Sequence, residues 1–169
     1  MEISATSNTK LYFIADAALL STTLKEVLEK ASYGKCLFKE ENSHLSGVAP
    51  YLLALNRDSD LFNWIKTDEL LRKSGIFVST YMDFEACWLH FRQLLSVLDE
   101  SGRPLLFRYY DPRILHIFLE TIEADQVAEF FNDDCKFVYF REGEWIEVIS
   151  NGTEVQKNTL IEGQVNEKI

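Results

Sequence analysis

Four aspartates recur in one setting: Asp16, Asp58, Asp83 and Asp111 each follow a run of strand-forming residues and stand at or near the start of a predicted helix. In open α/β sheets, ligand sites gather at the carboxyl ends of strands. Two carboxylates converging there could bind magnesium or assist a metal-dependent hydrolysis. The simpler reading makes each a helix cap, accepting hydrogen bonds from a first turn and contributing about 1 kcal/mol. Caps account for all four without a further assumption. Cys87 and His90 lie three apart on one predicted helix, a spacing compatible with zinc, but Cys36 or Cys135 would have to complete the site. Ser46-Gly47 and Ser101-Gly102 lack a G-x-S-x-G frame, and the seven glycines are too dispersed for a phosphate cradle. His44, His90 and His116 form no motif, although His116 is placed to pair with Glu120 four residues on. No metal and no cofactor is expected.

The densest chemistry is cationic and aromatic. Trp88, Phe91 and Arg92 share a predicted helix, and Phe107-Arg108-Tyr109-Tyr110-Asp111-Pro112-Arg113 follows it. Asp111 suits the cap and Pro112 the first position of the next helix. A guanidinium can stack on an aromatic ring or fork onto a carboxylate. Arg108, inside an apolar run, needs a partner if buried, and Asp111 and Asp83 are sensible partners for Arg92 and Arg108. Such a corner is either a structural ion-pair network or a grip on another polypeptide. The expected partner-binding set is Trp88, Leu89, Arg92, Arg108, Tyr109, Tyr110, Asp111 and Arg113, with Tyr139 and Trp145 as further aromatic candidates.

Periodicity supplies the elements that position these residues. Strands are predicted at Leu11 to Ala15, Tyr33 to Phe38, Pro50 to Leu55, Ile76 to Thr80 and Leu105 to Tyr110. Helices are predicted over Ala17 to Ala31, Asp60 to Arg72, Asp83 to Asp99, Pro112 to Glu123 and Asp125 to Phe131. Lys136–Arg141 and Glu144–Ile149 then alternate around Glu142-Gly143, which signals a hairpin. The alternation of strands and helices predicts an α/β fold: a mixed, largely parallel sheet flanked by helices, with a C-terminal β-hairpin. Residues 1–149 are expected to form a single domain and residues 150–169 a polar tail.

At 169 residues the chain can bury roughly 70% of its unfolded surface. A net charge of −10 opposes nucleic acid and anionic membranes. No apolar run approaches the roughly 20 residues of a membrane helix, and Met1 to Lys10 lacks a signal-peptide core, so a cytoplasmic protein is expected. The three cysteines are odd in number and without a C-x-x-C pair, which suits buried thiols.

In order along the chain, several blocks resemble the effector adaptor or chaperone domain of bacterial type VI secretion, the Tap or TEC type. They are Tyr12-Phe13-Ile14-Ala15-Asp16-Ala17-Ala18, Cys36-Leu37-Phe38, Ala49-Pro50-Tyr51-Leu52-Leu53, Gly75-Ile76-Phe77-Val78-Ser79 and His90-Phe91-Arg92. Phe107 to Leu115 is the most specific block, resembling F-R-F-Y-D-P-R-x-L, and Phe130-Phe131 and Trp145 resemble later aromatic positions. The resemblance implies a non-enzymatic cytoplasmic protein that binds a secreted toxin effector and helps load it onto the spike (VgrG-type) protein. Many members carry a further helical region, whereas this chain ends soon after Trp145. The effector would then complete the surface, or the protein would form a homodimer. The alternative is a small α/β metal-dependent hydrolase or phosphatase using Asp16 and Asp111.

Overall fold

Along the first strand, β1 (Lys10–Asp16), Leu11, Phe13 and Ala15 enter one apolar cluster while Tyr12 and Ile14 enter another on the opposite face. A strand apolar on both sides must be covered twice, so this sheet is a middle layer. The structure, a computed structural model, describes residues 8–132 and 134–169, and of Glu40 and Glu41 the backbone alone. Most of the polar N-terminal stretch, residues 1–7, therefore lies outside the described residues.

The strands after β1 are β2 (Tyr33–Cys36), β3 (Pro50–Leu55), β4 (Gly75–Thr80), β5 (Ser96–Leu98), β6 (Pro104–Leu106), β7 (Lys136–Arg141), β8 (Glu144–Ser150) and β9 (Val155–Leu160). The helices are α1 (Leu24–Lys30), α2 (Asp60–Thr67), α3 (Glu69–Lys73), α4 (Phe84–Gln93), α5 (Pro112–Thr121), α6 (Ala124–Phe131) and α7 (Glu162–Lys168), with a 3-10 segment at Glu40–Leu45. Seven strands form one sheet in the order β2-β3-β1-β4-β7-β8-β9, and β5 pairs with β6 apart from it. Helices α4, α5 and α6 cover one face through Phe91, Leu115 and Phe130. Helices α1, α2, α3 and α7 cover the other through Val27, Ile65, Leu71 and Val165. Among the described residues no helix is long and apolar enough to cross a membrane.

The sheet is antiparallel at every neighbouring pair, not largely parallel as the strand–helix alternation predicted. The reason lies in the strand order. The connection through α1 joins β1 to β2, which run the same way, and the connection through α2 and α3 likewise joins β3 to β4. Each crossover passes over one strand of opposite direction, β3 in the first case and β1 in the second. Local sequence carries the crossover but not the strand inserted between its ends.

Other boundaries move for local reasons. Ala17 to Thr23 form successive turns before the helix, where Ser21-Thr22-Thr23 is a weak helix former. The predicted helix ending at Asp99 stops at Gln93, because Ser96–Leu98 pairs instead with Pro104–Leu106. Of the predicted strand Leu105–Tyr110 only Leu105 and Leu106 lie in a strand, β6, and a turn follows in which the Asp111 N–H donates to the Arg108 carbonyl at 3.0 Å. The β7–β8 hairpin is as predicted, with Glu142 at φ 52° and Gly143 at φ 88° in its two-residue turn. Residues 150–169 are no loose tail: β9 extends the sheet, and Leu160, Val165 and Ile169 are buried against the second face.

Candidate functional site

The turn before α5 assembles a two-carboxylate, two-arginine corner. Asp111 caps α5, its Oδ1 accepting the Arg113 N–H at 3.0 Å, and the Arg113 guanidinium forks back onto both oxygens at 3.0 and 2.8 Å. Arg108 Nη2 donates to Asp16 Oδ2 at 2.7 Å and lies 3.6 Å from Asp111 Oδ2. Asp16 sits at the end of β1, and its other oxygen accepts the Ala18 N–H at 3.0 Å. The two carboxylates are buried, whereas the side chains of Arg108 and Arg113 are 42% and 72% exposed. Burial would push the Asp111 carboxyl up, but the Arg113 hydrogen bonds and the charges of Arg113 and Arg108 outweigh it and hold it below its ordinary value. Asp16 and Asp111 thus converge, on guanidinium groups. Among the described residues no group of three His, Cys, Asp or Glu side chains could hold a metal ion.

Tyr109 and Tyr110 fold under this turn into the core. The Tyr109 hydroxyl donates to the Phe91 carbonyl of α4 at 2.6 Å, and burial pushes both phenols up. Their burial follows from the turn: in a strand one of the two would have faced outward. Tyr139 is also interior, its hydroxyl 2.8 Å from His116 Nδ1, while Trp145 packs on Phe77 and Phe140. His116 meets Glu120 at 3.4 Å, the expected pairing, and His90 Nε2 faces the Phe130 carbonyl at 3.0 Å. Asp83 caps α4, but Ser59 and Asp68 rather than Asp58 cap α2 and α3.

The second assembly lies on α4. Trp88 donates its indole N–H to the Cys36 carbonyl of β2 at 2.8 Å. Lys35 Nζ and the Arg92 guanidinium lie 3.7 and 4.7 Å from its ring centroids, so two cations share one indole. Arg92 meets neither Asp111 nor Asp83: among the described residues no carboxylate lies within ion-pair distance of it. Leu89 is exposed on the outer side of the same helix. An open cavity of about 710 Å³ borders Lys35, Phe38, Ser46, Trp88 and Arg92. A second, of about 430 Å³, continues past Phe38 and Arg92 to Leu45, Leu95, Leu105 and Leu106.

Beyond it projects the β5–β6 hairpin. Val97, Leu98, Leu105 and Leu106 are 42%, 70%, 52% and 52% exposed. Its tip is held by Asp99, which accepts from the backbone of Ser101 and Arg103 at 2.8 and 2.9 Å and from Arg103 Nε at 2.9 Å. The helix predicted over Asp83 to Asp99 takes in Leu95 and Leu98, so the sequence alone hides the hairpin and the groove beside it. The turn signal was present: Asp99-Glu100-Ser101-Gly102-Arg103 between two short apolar runs, with Pro104 opening the second.

The structure therefore splits the expected partner-binding residues. Trp88 and Arg92 line the groove, Leu89 is exposed nearby on α4, Arg108 and Arg113 stand at the carboxylate corner, and Tyr109, Tyr110 and Asp111 are interior. The sequence model of the family described as Domain of unknown function (DUF4123) matches residues 11–129, a span that includes the corner, the groove and the hairpin. Neither curated proteins nor solved structures give a match.

Proposed function

This chain belongs to the DUF4123 family, and on that premise we propose that it is an adaptor or chaperone that binds a type VI secretion effector in the cytoplasm and helps load it onto the spike protein. The reading is supported by the ordered blocks from Tyr12 to Leu115, which resemble the Tap or TEC adaptors and fall inside the matched span. One observation carries the binding of a polypeptide: the β5–β6 hairpin exposes four large aliphatic side chains on a tip braced by Asp99. A two-stranded hairpin on its own is marginally stable in water, and a clustered exposed apolar patch marks an interaction surface. A partner segment that covers it gains burial at about 25 cal/mol per Å² of apolar area.

Co-expression with a candidate toxin from a neighbouring gene tests the reading. A stable complex is expected on size exclusion, together with loss of toxin export when the chain's gene is deleted. Export and toxin levels that are normal in the deletion strain would overturn it.

A further inference from the structure

We infer that the groove between the β2 edge and the β5–β6 hairpin takes a segment of the effector in which carboxylates neighbour large apolar side chains. This rests on the adaptor reading and names the part of the partner that is gripped. The two cavities share Phe38, Lys39 and Arg92 and so form one depression, with α4 as its floor. At the hairpin end the surface is aliphatic, formed by Leu45, Leu95, Leu105 and Leu106. At the β2 end it is aromatic and cationic, formed by Phe38, Trp88, Lys35 and Arg92.

Charge chooses the occupant. The chain carries −10 overall, yet Lys35 and Arg92 line the groove and its described lining includes no carboxylate. Lys35 already holds one exposed carboxylate at the rim, Glu85 at 3.1 Å. Arg92 is fixed on the Trp88 ring with no carboxylate in reach among the described residues. A stacked guanidinium keeps its in-plane donors for a fork onto a carboxylate, and a half-buried setting strengthens that bond over one in open water. Apolar side chains of the same segment would fill the aliphatic end, where burial rather than charge supplies affinity. A basic segment would meet like charge on the floor, so the groove discriminates against it.

The test uses the full chain and the purified effector, with binding measured by calorimetry and folding by thermal melts. Arg92→Glu and Leu105→Glu should each weaken the complex by about tenfold or more, and Arg92→Gln by less. Ile117→Glu, on the exposed face of α5 and outside the groove, should leave affinity within about twofold. A photo-crosslinking residue in place of Leu106 should capture one effector peptide, acidic and apolar, and a Lys for a carboxylate in that peptide should restore binding to Arg92→Glu. Wild-type affinity in folded Arg92→Glu and Leu105→Glu would overturn the groove while leaving the adaptor reading intact. Capture of a basic peptide, of the spike protein or of a second copy of this chain would do the same. Failure of the wild-type chain to bind the effector at all would remove both.

Discussion

At the scale of single residues, the corner around Arg108 shows what local sequence can and cannot reveal. Asp111 as a cap and Pro112 in the first turn of α5 were legible because capping is decided within four residues. The closest partner of Arg108 was not, since Asp16 lies 92 positions away and meets it only through the antiparallel sheet. The Asp16 side chain is 1% exposed, so removing the guanidinium leaves an interior carboxylate with the Ala18 amide as its hydrogen-bond donor and the more distant Arg113 charge. Breaking a fully buried pair costs about 3–5 kcal/mol, and the solvent reaching Arg108 reduces that to about 1–2 kcal/mol here. Arg108→Ala should therefore unfold at lower urea, and adding Asp16→Asn should recover most of the loss. A double variant destabilised by the sum of the losses in Arg108→Ala and Asp16→Asn alone would show that the pair does not couple.

At the scale of elements, six of the seven strands of the main sheet and most helices could be read from periodicity, but not β5, β9, α7 or the sheet's direction. A helical crossover joins parallel strands wherever it occurs, and only long-range pairing shows that β3 and β1 lie between the joined ends. Ser74-Gly75, just past the predicted helix end at Arg72, shows the same limit. It reads as punctuation after α3, yet Gly75 opens β4, where an added Cβ would lie 2.1 Å from the Ile14 carbonyl oxygen and 2.8 Å from the Phe13 ring. Backbone cannot yield as a flexible side chain can, so Gly75→Ala should push β4 from β1 and cost about 3 kcal/mol, the upper end for overpacking. Gly47→Ala, with nothing within 4 Å of the new Cβ, should change stability by less than about 0.5 kcal/mol. Denaturant midpoints compare the two, and similar midpoints would contradict the close β1–β4 approach. The hairpin was lost to sequence reading for a related reason: Leu94, Leu95 and Leu98 continue the apolar stripe of α4, and only pairing with Pro104–Leu106 ends it.

For the molecule as a whole, acid should act first through the layer of α4, α5 and α6 and only later through the carboxylate corner. Burial lowers the pKa of His90, against the raising influence of the Phe130 carbonyl, Glu129 and Asp134; its Nε2 faces that carbonyl and must carry the proton of the neutral ring. Burial, Lys157 and Arg141 lower that of His116, against Glu120 and Glu142. A histidine depressed in the folded state favours folding fully above its ordinary value of 6.5, and the benefit shrinks as the unfolded chain takes up protons below it. Asp111, also depressed, keeps its contribution until pH falls through its ordinary 3.8 and loses it below. Opposing this, the charge of −10 relaxes toward zero as pH approaches 4.8, which relieves self-repulsion. The expected urea midpoint is flat above pH 7, declines from about 6.5 less steeply than the two histidines alone would give, and drops again below about 4. His90→Gln keeps a donor for the Phe130 carbonyl without a titrating ring, so it should flatten the first decline and leave the second unchanged. A His90→Gln profile parallel to wild type between pH 7 and 5 would place the acid sensitivity elsewhere in the fold.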